Sequence, residues 1–381
     1  MNGLGRGGLA AWCLAACLAA TACGVGAWVM QVNRMDYNQS AQRSTHEQML
    51  LNLVRTKYLE HPLFMQGGTI ASSFNFSANA GATATTGPES YQFPLGASVT
   101  ESPTVTYTPY DGQKYTQEIL SELGGGRMLL LFRSNTDLEV LLRCTVDRLG
   151  RLENQAPNHP LDQARLDEFT AFCKLAREKQ LRRELDLVGV IQKDKNQDKD
   201  KEPVTALVMI MRFDDETQAR AMAAHLGSEY RPRLHHSSGQ VVMVYRLVDT
   251  SVIDAARSDD PRFVDLAVRL RSCREVLDYL GQGVEIPPDH LAAGVSNLVP
   301  LAAESRLVDP HPYVADLFNV RQSPEQPRDA FVAVNYRGAW FYIADNDLRS
   351  KMVFSLMLTL MALQSSSGPT PAPMLTLSVG G

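Results

Sequence analysis

Three cysteines, Cys13, Cys17 and Cys23, fall inside one apolar run near the start of the chain, and a thiol in that setting suits one reaction above others, acylation. Export signals of acylated bacterial proteins end in a small-residue tripeptide directly before the cysteine that takes the lipid. Leu14-Ala15-Ala16-Cys17 and Ala20-Thr21-Ala22-Cys23 both have this shape. The first carries Leu at the third position before the thiol. The second leaves an apolar stretch of more usual length and places Gly24 directly after the cysteine. Cys23 is the expected lipidation site and Cys17 the alternative; Cys13, preceded by Trp12, fits neither pattern.

The surrounding segment supports export. Met1 to Arg6 is short and carries one positive charge, and Gly7 to Met30 holds no charged residue, which gives the basic and apolar regions of a signal peptide over residues 1–22. Roughly 20 apolar residues also suffice to cross a bilayer, so an uncleaved anchor is the competing reading. Acylation would tether the chain firmly, because each buried methylene is worth ~0.8 kcal/mol and two or more chains hold stably.

The remaining chemistry-bearing residues are less organised. His46-Glu47 begins the metalloprotease pattern HExxH, but Leu50 stands where the second histidine would be. His235-His236 precedes Ser237-Ser238-Gly239, yet neighbours in a loop lack the distant partner that a triad requires. Gly124-Gly125-Gly126 is not followed by the Lys-Ser/Thr that completes a phosphate loop. Asp345, Asp347, Arg349 and Lys351 could form a polar site at a helix start, although capping and ion pairing account for them more simply. Cys144, Cys173 and Cys273 lie in helix-like stretches and read as buried free thiols. The expectation is therefore no catalytic residue, no cofactor, no metal ligand and no enzymatic role.

Composition bounds the partners. The 381 residues are 44% hydrophobic and 21% charged, ordinary for a folded chain, and the formal net charge of −5 gives no basic field for nucleic acid.

These residues need elements to position them. Met49, Leu50, Leu53, Val54 and Tyr58 have helical spacing within 35–64, with Ser44, Thr45 and Glu47 as a capping start and Pro62 as a stop. After Gly67-Gly68 the period changes to two. Ile70, Phe74, Phe76, Ala78, Ala80, Ala82 and Ala84 share one parity, and Tyr91, Phe93, Leu95, Ala97, Val99, Val105 and Tyr107 repeat it, so a long hairpin is expected over about 69–108. Helices follow over 110–123, 135–150 and 160–186, with the three glycines in a loop between the first two. From 184 onward strands alternate with helices, the stretch 261–281 reading as one helix. Residues 330–363 read as a hairpin turning at Arg337-Gly338, followed by a helix capped from Asp345-Asn346-Asp347. The expected class is α+β: N-terminal helices with a long β-hairpin, then a small mixed α/β sheet domain. The corresponding divisions are 1–22, 23–183 and 184–381.

The stretch "AFVAVNYRGAWFYIADNDLRSKMVFSLMLTLMALQSSS" at 330–367, with "APMLTLSVGG" at its end, Asp36-Tyr37-Asn38, "LLNLVRTKYLEHPLFMQ" and "SPTVTYTPYDGQKY", resembles a family of uncharacterised lipoproteins of Gram-negative bacteria. The resemblance implies export, lipidation and outer-membrane residence facing the periplasm, and it brings no catalytic residues. The leading expectation is a lipid-anchored, non-catalytic envelope protein. Its partners would be the membrane, through the anchor, and other envelope proteins or further copies of itself, with no nucleic acid. The alternative is a protomer of an oligomeric outer-membrane pore or export complex that contributes the hairpin. A periplasmic enzyme stands third.

Overall fold

The computed structural model describes residues 35–79, 84–86, 89–91, 96–109, 113–155, 160–191, 205–228, 230, 234–237, 239–249, 263–301 and 306–365. Cys17, Cys23 and the export segment lie outside them, as do Ala80 and Ala82 of the expected hairpin. The chain divides into two compact units, one of Met1–Pro62 with Ile119–Leu363 and the other of Leu63–Glu118 with Gln364–Gly381.

Helix α1, described over 35–57, buries Met49, Leu50, Leu53 and Val54 along one stripe. Thr45 lies inside it and donates its hydroxyl to the Ala41 carbonyl at 2.9 Å, so the expected start at Ser44/Thr45 is corrected to an earlier one. The helix closes with the Glu60 N–H on the Arg55 carbonyl (2.9 Å) and the Leu59 N–H on that of Thr56 (3.1 Å), which puts Leu59 at φ 58.

In the second unit β1 (Met65–Asn79) and β4 (Gly96–Pro109) pair antiparallel, from Met65 opposite Pro109 to Asn79 opposite Gly96. Between them in sequence, β2 (Ala84–Thr86) pairs with β3 (Glu89–Tyr91). Helix α2 (Gln113–Leu120) leads back toward the first unit's sequence.

There, Gly125 and Gly126 open helix α3 (Gly125–Arg133) instead of lying in a loop, because Met128 and Leu131 supply a buried face. Asp137 caps α4 (Leu138–Thr145) by accepting from the Val140 N–H at 3.2 Å. The expected helix over 135–150 stops at Thr145, since β5 (Val146–Leu149) and β6 (Leu152–Glu153) join a sheet through a turn at Gly150. That glycine has φ 57, and a Cβ there would collide with the Leu226 carbonyl. Next come α5 (Pro160–Leu181), β7 (Leu185–Ile191), β8 (Thr205–Phe213) and α6 (Glu216–Leu226), the last capped by Asp215 through the Gln218 N–H at 2.8 Å. β9 (Leu234–Ser237) carries the His235-His236 pair as a strand, not a loop, and lies against β10 (Gln240–Asp249).

The stretch expected as one helix over 261–281 is β11 (Val264–Leu270) followed by α7 (Cys273–Gly281). A capping box marks the break. Ser272 accepts from the Glu275 N–H at 3.2 Å, and the Glu275 carboxylate accepts from the Ser272 N–H at 2.8 Å.

The resulting sheet has seven strands in the order β6-β5-β11-β10-β8-β7, with β9 beside β10. One edge of β10 follows β8; the other is shared, with β9 along Gln240–Met243 and β11 along Tyr245–Asp249. The β10–β11 pair is parallel and the others are antiparallel. The expected 183/184 boundary runs through this sheet, because β5 before it pairs with β11 after it. Leu187, Leu207, Met209, Leu247 and Val268 turn to one face, where Met128, Leu138 and Phe172 from α3, α4 and α5 meet them around an apolar void of about 30 Å³.

Short elements lead to the C-terminal layer: α8 (Pro288–Ala292), β12 (Val299–Leu301), β13 (Arg306–Val308) and α9 (His311–Val314). β14 (Arg321–Ser323), β15 (Ala330–Tyr336) and β16 (Ala339–Ala344) form a three-stranded sheet in the order β14-β16-β15. Arg337 (φ 51) and Gly338 (φ 86) make the two-residue turn with both angles positive that the right-handed twist of a hairpin favours. α10 (Leu348–Ser365) buries Val353, Phe354, Met357 and Leu360, and the Asp347 carboxylate caps it through the Ser350 N–H at 3.0 Å. α1 crosses α7 at Gly281, where a Cβ would strike the Thr56 hydroxyl. The fold is mixed α/β, a seven-stranded mixed sheet with helices and a separate three-stranded sheet.

Candidate functional site

The densest polar constellation of the first unit sits where α4 ends and the chain turns at once into β5. A helix ending so abruptly leaves carbonyls in need of donors. Arg271, 4% exposed, supplies them, donating to the main-chain oxygens of Arg143 (3.0 Å), Cys144 (3.3 Å) and Asn154. Its guanidinium stacks on the Tyr279 ring, 3.9 Å from the centroid, and Tyr279 donates its hydroxyl to the Asn154 amide oxygen at 3.1 Å. Asn154 in turn donates to the carbonyls of Arg143 (2.8 Å) and Val146 (2.6 Å). Burial pushes the Arg271 pKa down and that of Tyr279 up.

Arg143, one turn back on α4, carries the second half of the cluster. It binds Asp316 through both terminal nitrogens at 2.7 Å, with Glu139 at 3.6 Å one helical turn away. Glu139 also accepts from Arg349 at the start of α10. Burial alone would lower the Arg143 pKa, but the hydrogen bonds it donates to the Asp316 carboxylate, with that charge beside it, hold it above the ordinary value. Across α1, the buried Lys57 ammonium donates to Asp309 at 2.7 Å and to the Gln282 carbonyl at 3.2 Å, and burial draws its pKa down.

Two further clusters lie nearer solvent. Tyr58 shares a 2.6 Å hydrogen bond with His290 Nδ1, Tyr336 donates to Glu60, and Arg337 pairs with Glu60 at 2.7 Å while lying 5.1 Å from the Tyr58 ring centroid. Burial pushes Tyr58 up to about 12, away from the range of a base at neutral pH. Around Arg269, Asp147 (2.6 Å), Glu275 (2.7 Å) and Glu122 (4.0 Å) converge. Burial and a hydrogen bond to Asp249 raise Glu122 to about 7.

Few of the residues marked from sequence meet. The His46 ring packs on Phe331 and Phe354, with centroids 5.2 and 5.6 Å away, and burial lowers its pKa. His235 sits exposed on β9. Asp345 pairs with Lys351 at 2.7 Å, Asp347 caps α10 and Arg349 reaches Glu139, so these four divide among separate structural tasks. Cys144, Cys173 and Cys273 are buried and in no disulfide among the described residues, the Cys144 thiol pushed up to about 12 and that of Cys173 pushed well up, away from the thiolate that reaction needs. Cys23 and Cys17 lie outside the described residues.

Sequence reasoning missed Arg143, Arg271, Asn154 and Tyr279, whose partners stand up to 173 positions apart. The Ser272-to-Glu275 capping pattern was the legible signal that a strand ends beside them. Among the described residues no three His, Cys, Asp or Glu side chains gather as a metal site, and no helix is long and apolar enough to cross a membrane. Comparison of the chain with models of known families, with curated proteins and with solved structures found no match.

Proposed function

We propose that this chain is a lipid-anchored protein of the cell envelope, held at Cys23 in the outer membrane and facing the periplasm, whose folded unit serves assembly with other envelope proteins or with further copies of itself. One observation carries the non-catalytic part of the reading. A dense polar constellation, Arg143-Asp316 with Arg271-Asn154-Tyr279, is spent on main-chain carbonyls and ion pairs that bind α4 to β5, to α7 and to the turn after α9. Such groups stabilise a scaffold and present no reacting atom to a substrate. The anchor rests on the Ala20-Thr21-Ala22-Cys23 tripeptide and the uncharged run before it.

The ribbon of β1 and β4 supports the assembly role. Among the described residues its outer edges pair with no other strand, and a two-stranded ribbon is marginal alone. It is an edge that a second chain would complete. The same ribbon favours a second reading, a protomer of an oligomeric pore, because strands of 15 and 14 residues exceed the roughly 9–11 that a bilayer crossing takes. The alanine-rich parity expected from sequence speaks for protein contact, since small side chains remove little apolar area from water at roughly 25 cal/mol per Å².

In-cell crosslinking and the size of the detergent-extracted particle test the reading. Ala80→Arg with Ala82→Arg should abolish crosslinks to partner chains and shrink the particle while the acyl anchor keeps the chain in the membrane. If a cleaved, unacylated chain instead stays embedded through carbonate or urea extraction until those arginines are introduced, the pore reading replaces it.

A further inference from the structure

We infer that the groove between α5 and α6 is a binding site for a single-chain amphiphile with one anionic head, of the class of a fatty-acid carboxylate. The groove encloses about 290 Å³ and is built from two chemistries. Its floor is apolar: Phe213 at the end of β8 and Met222 on α6 are 2% and 5% exposed, Ala221 flanks them, and Leu175 on α5 stays 39% exposed.

Its rim is polar, with Lys179, Arg182, Gln218 and His225 beside one carboxylate. Lys179 is already engaged, donating to Glu184 at 2.7 Å and to the Arg212 carbonyl at 3.0 Å while its ammonium lies 4.4 Å from the Phe213 centroid. Arg182, at the start of the turn after α5, and His225, in the last turn of α6, have side chains with no hydrogen bond or ion pair to the described residues. Glu178 is the acid on the lining. A guanidinium beside a hydrophobic trough offers an anionic head a bidentate partner that a neutral head cannot use. An alkyl chain meanwhile gains by covering Phe213, Met222 and Leu175.

Size selects this occupant over a helical peptide. A helix is about 10 Å across with its side chains, whereas the groove falls at the small end of ligand cavities, roughly 300 Å³. Neither the anchor nor the ribbon enters the argument, so the site stands or falls separately from the proposed function.

A photoreactive diazirine analogue of a C10 fatty acid, added to the full chain in lipid nanodiscs and mapped by peptide mass spectrometry, tests the site. Label should fall on the α6 peptide, be displaced by decanoate at least tenfold more effectively than by decanol, and drop at least tenfold in both Arg182→Glu and Ala221→Trp. Both positions are exposed, and an unchanged melting midpoint verifies each variant; should one fail to fold, the other carries the test. Equal displacement by decanol would overturn recognition of the head. Label elsewhere in the chain, no specific label, or label unchanged in the folded variants would overturn the site.

Discussion

Two arginines of the first unit lie over tyrosine rings, and their settings are opposite. Arg271 stacks 3.9 Å from the Tyr279 centroid at 4% exposure and feeds three main-chain carbonyls, whereas Arg337 lies 5.1 Å from Tyr58 with its side chain 42% exposed and binds a surface carboxylate. The residue pair is the same and the solvent differs. In the interior each lost donor strands an acceptor away from water, so removal costs the desolvation of what remains. At the surface water replaces the missing partner, and long side chains give back the entropy they lost. The cluster around Arg271 therefore holds the fold, while that around Arg337 decorates it.

Breaking the interior network should produce the largest effect. Arg271→Met leaves the carbonyls of Arg143, Cys144 and Asn154 short of a donor, and denaturant unfolding should show a loss of about 3–5 kcal/mol. A loss below about 1 kcal/mol would mean that water fills the position and that the network is dispensable.

Glu122 lies between the two extremes and sharpens the comparison through pH. Its folded pKa, raised to about 7 by burial and by Asp249, exceeds the ordinary 4.5, so over that window the folded chain keeps a proton the unfolded chain has lost. Stability at this group consequently falls as pH rises from about 4.5 to 7. Glu122→Gln should flatten that dependence and raise stability at pH 8 by up to about 1 kcal/mol, a figure discounted for its partial exposure. Thermal melts of both proteins from pH 4.5 to 8 measure it.

The smallest effect belongs to Arg337→Ala. Losing the Glu60 pair and the contact with Tyr58 should leave the melting midpoint within about 2 °C of the parent, with the remaining difference shrinking in 0.5 M salt.

The same contrast explains what was legible in the sequence. Elements whose signal is local read well: the α1 stripe from Met49 to Tyr58, α6 behind Asp215, the Arg337-Gly338 turn and the apolar face of α10. Elements decided by distant partners did not. Val264–Leu270 has enough apolar residues to pass for a helix, and it becomes a strand because β10 and β5 flank it. Val146–Leu149 leaves its expected helix for the same reason. The interior network was invisible because Arg271 finds its acceptors more than 110 positions away, and nothing local distinguishes a buried arginine from a solvated one. The expected acylation motif, by contrast, is wholly local, its two alternatives lying within Leu14 to Cys23, outside the described residues.

That motif bears the central claim, and metabolic labelling with palmitate tests it most directly. Label should enter the parent chain and Cys17→Ala and be absent from Cys23→Ala. Undiminished label in Cys23→Ala would contradict Cys23 as the site, and no label in any form would contradict the lipid anchor altogether.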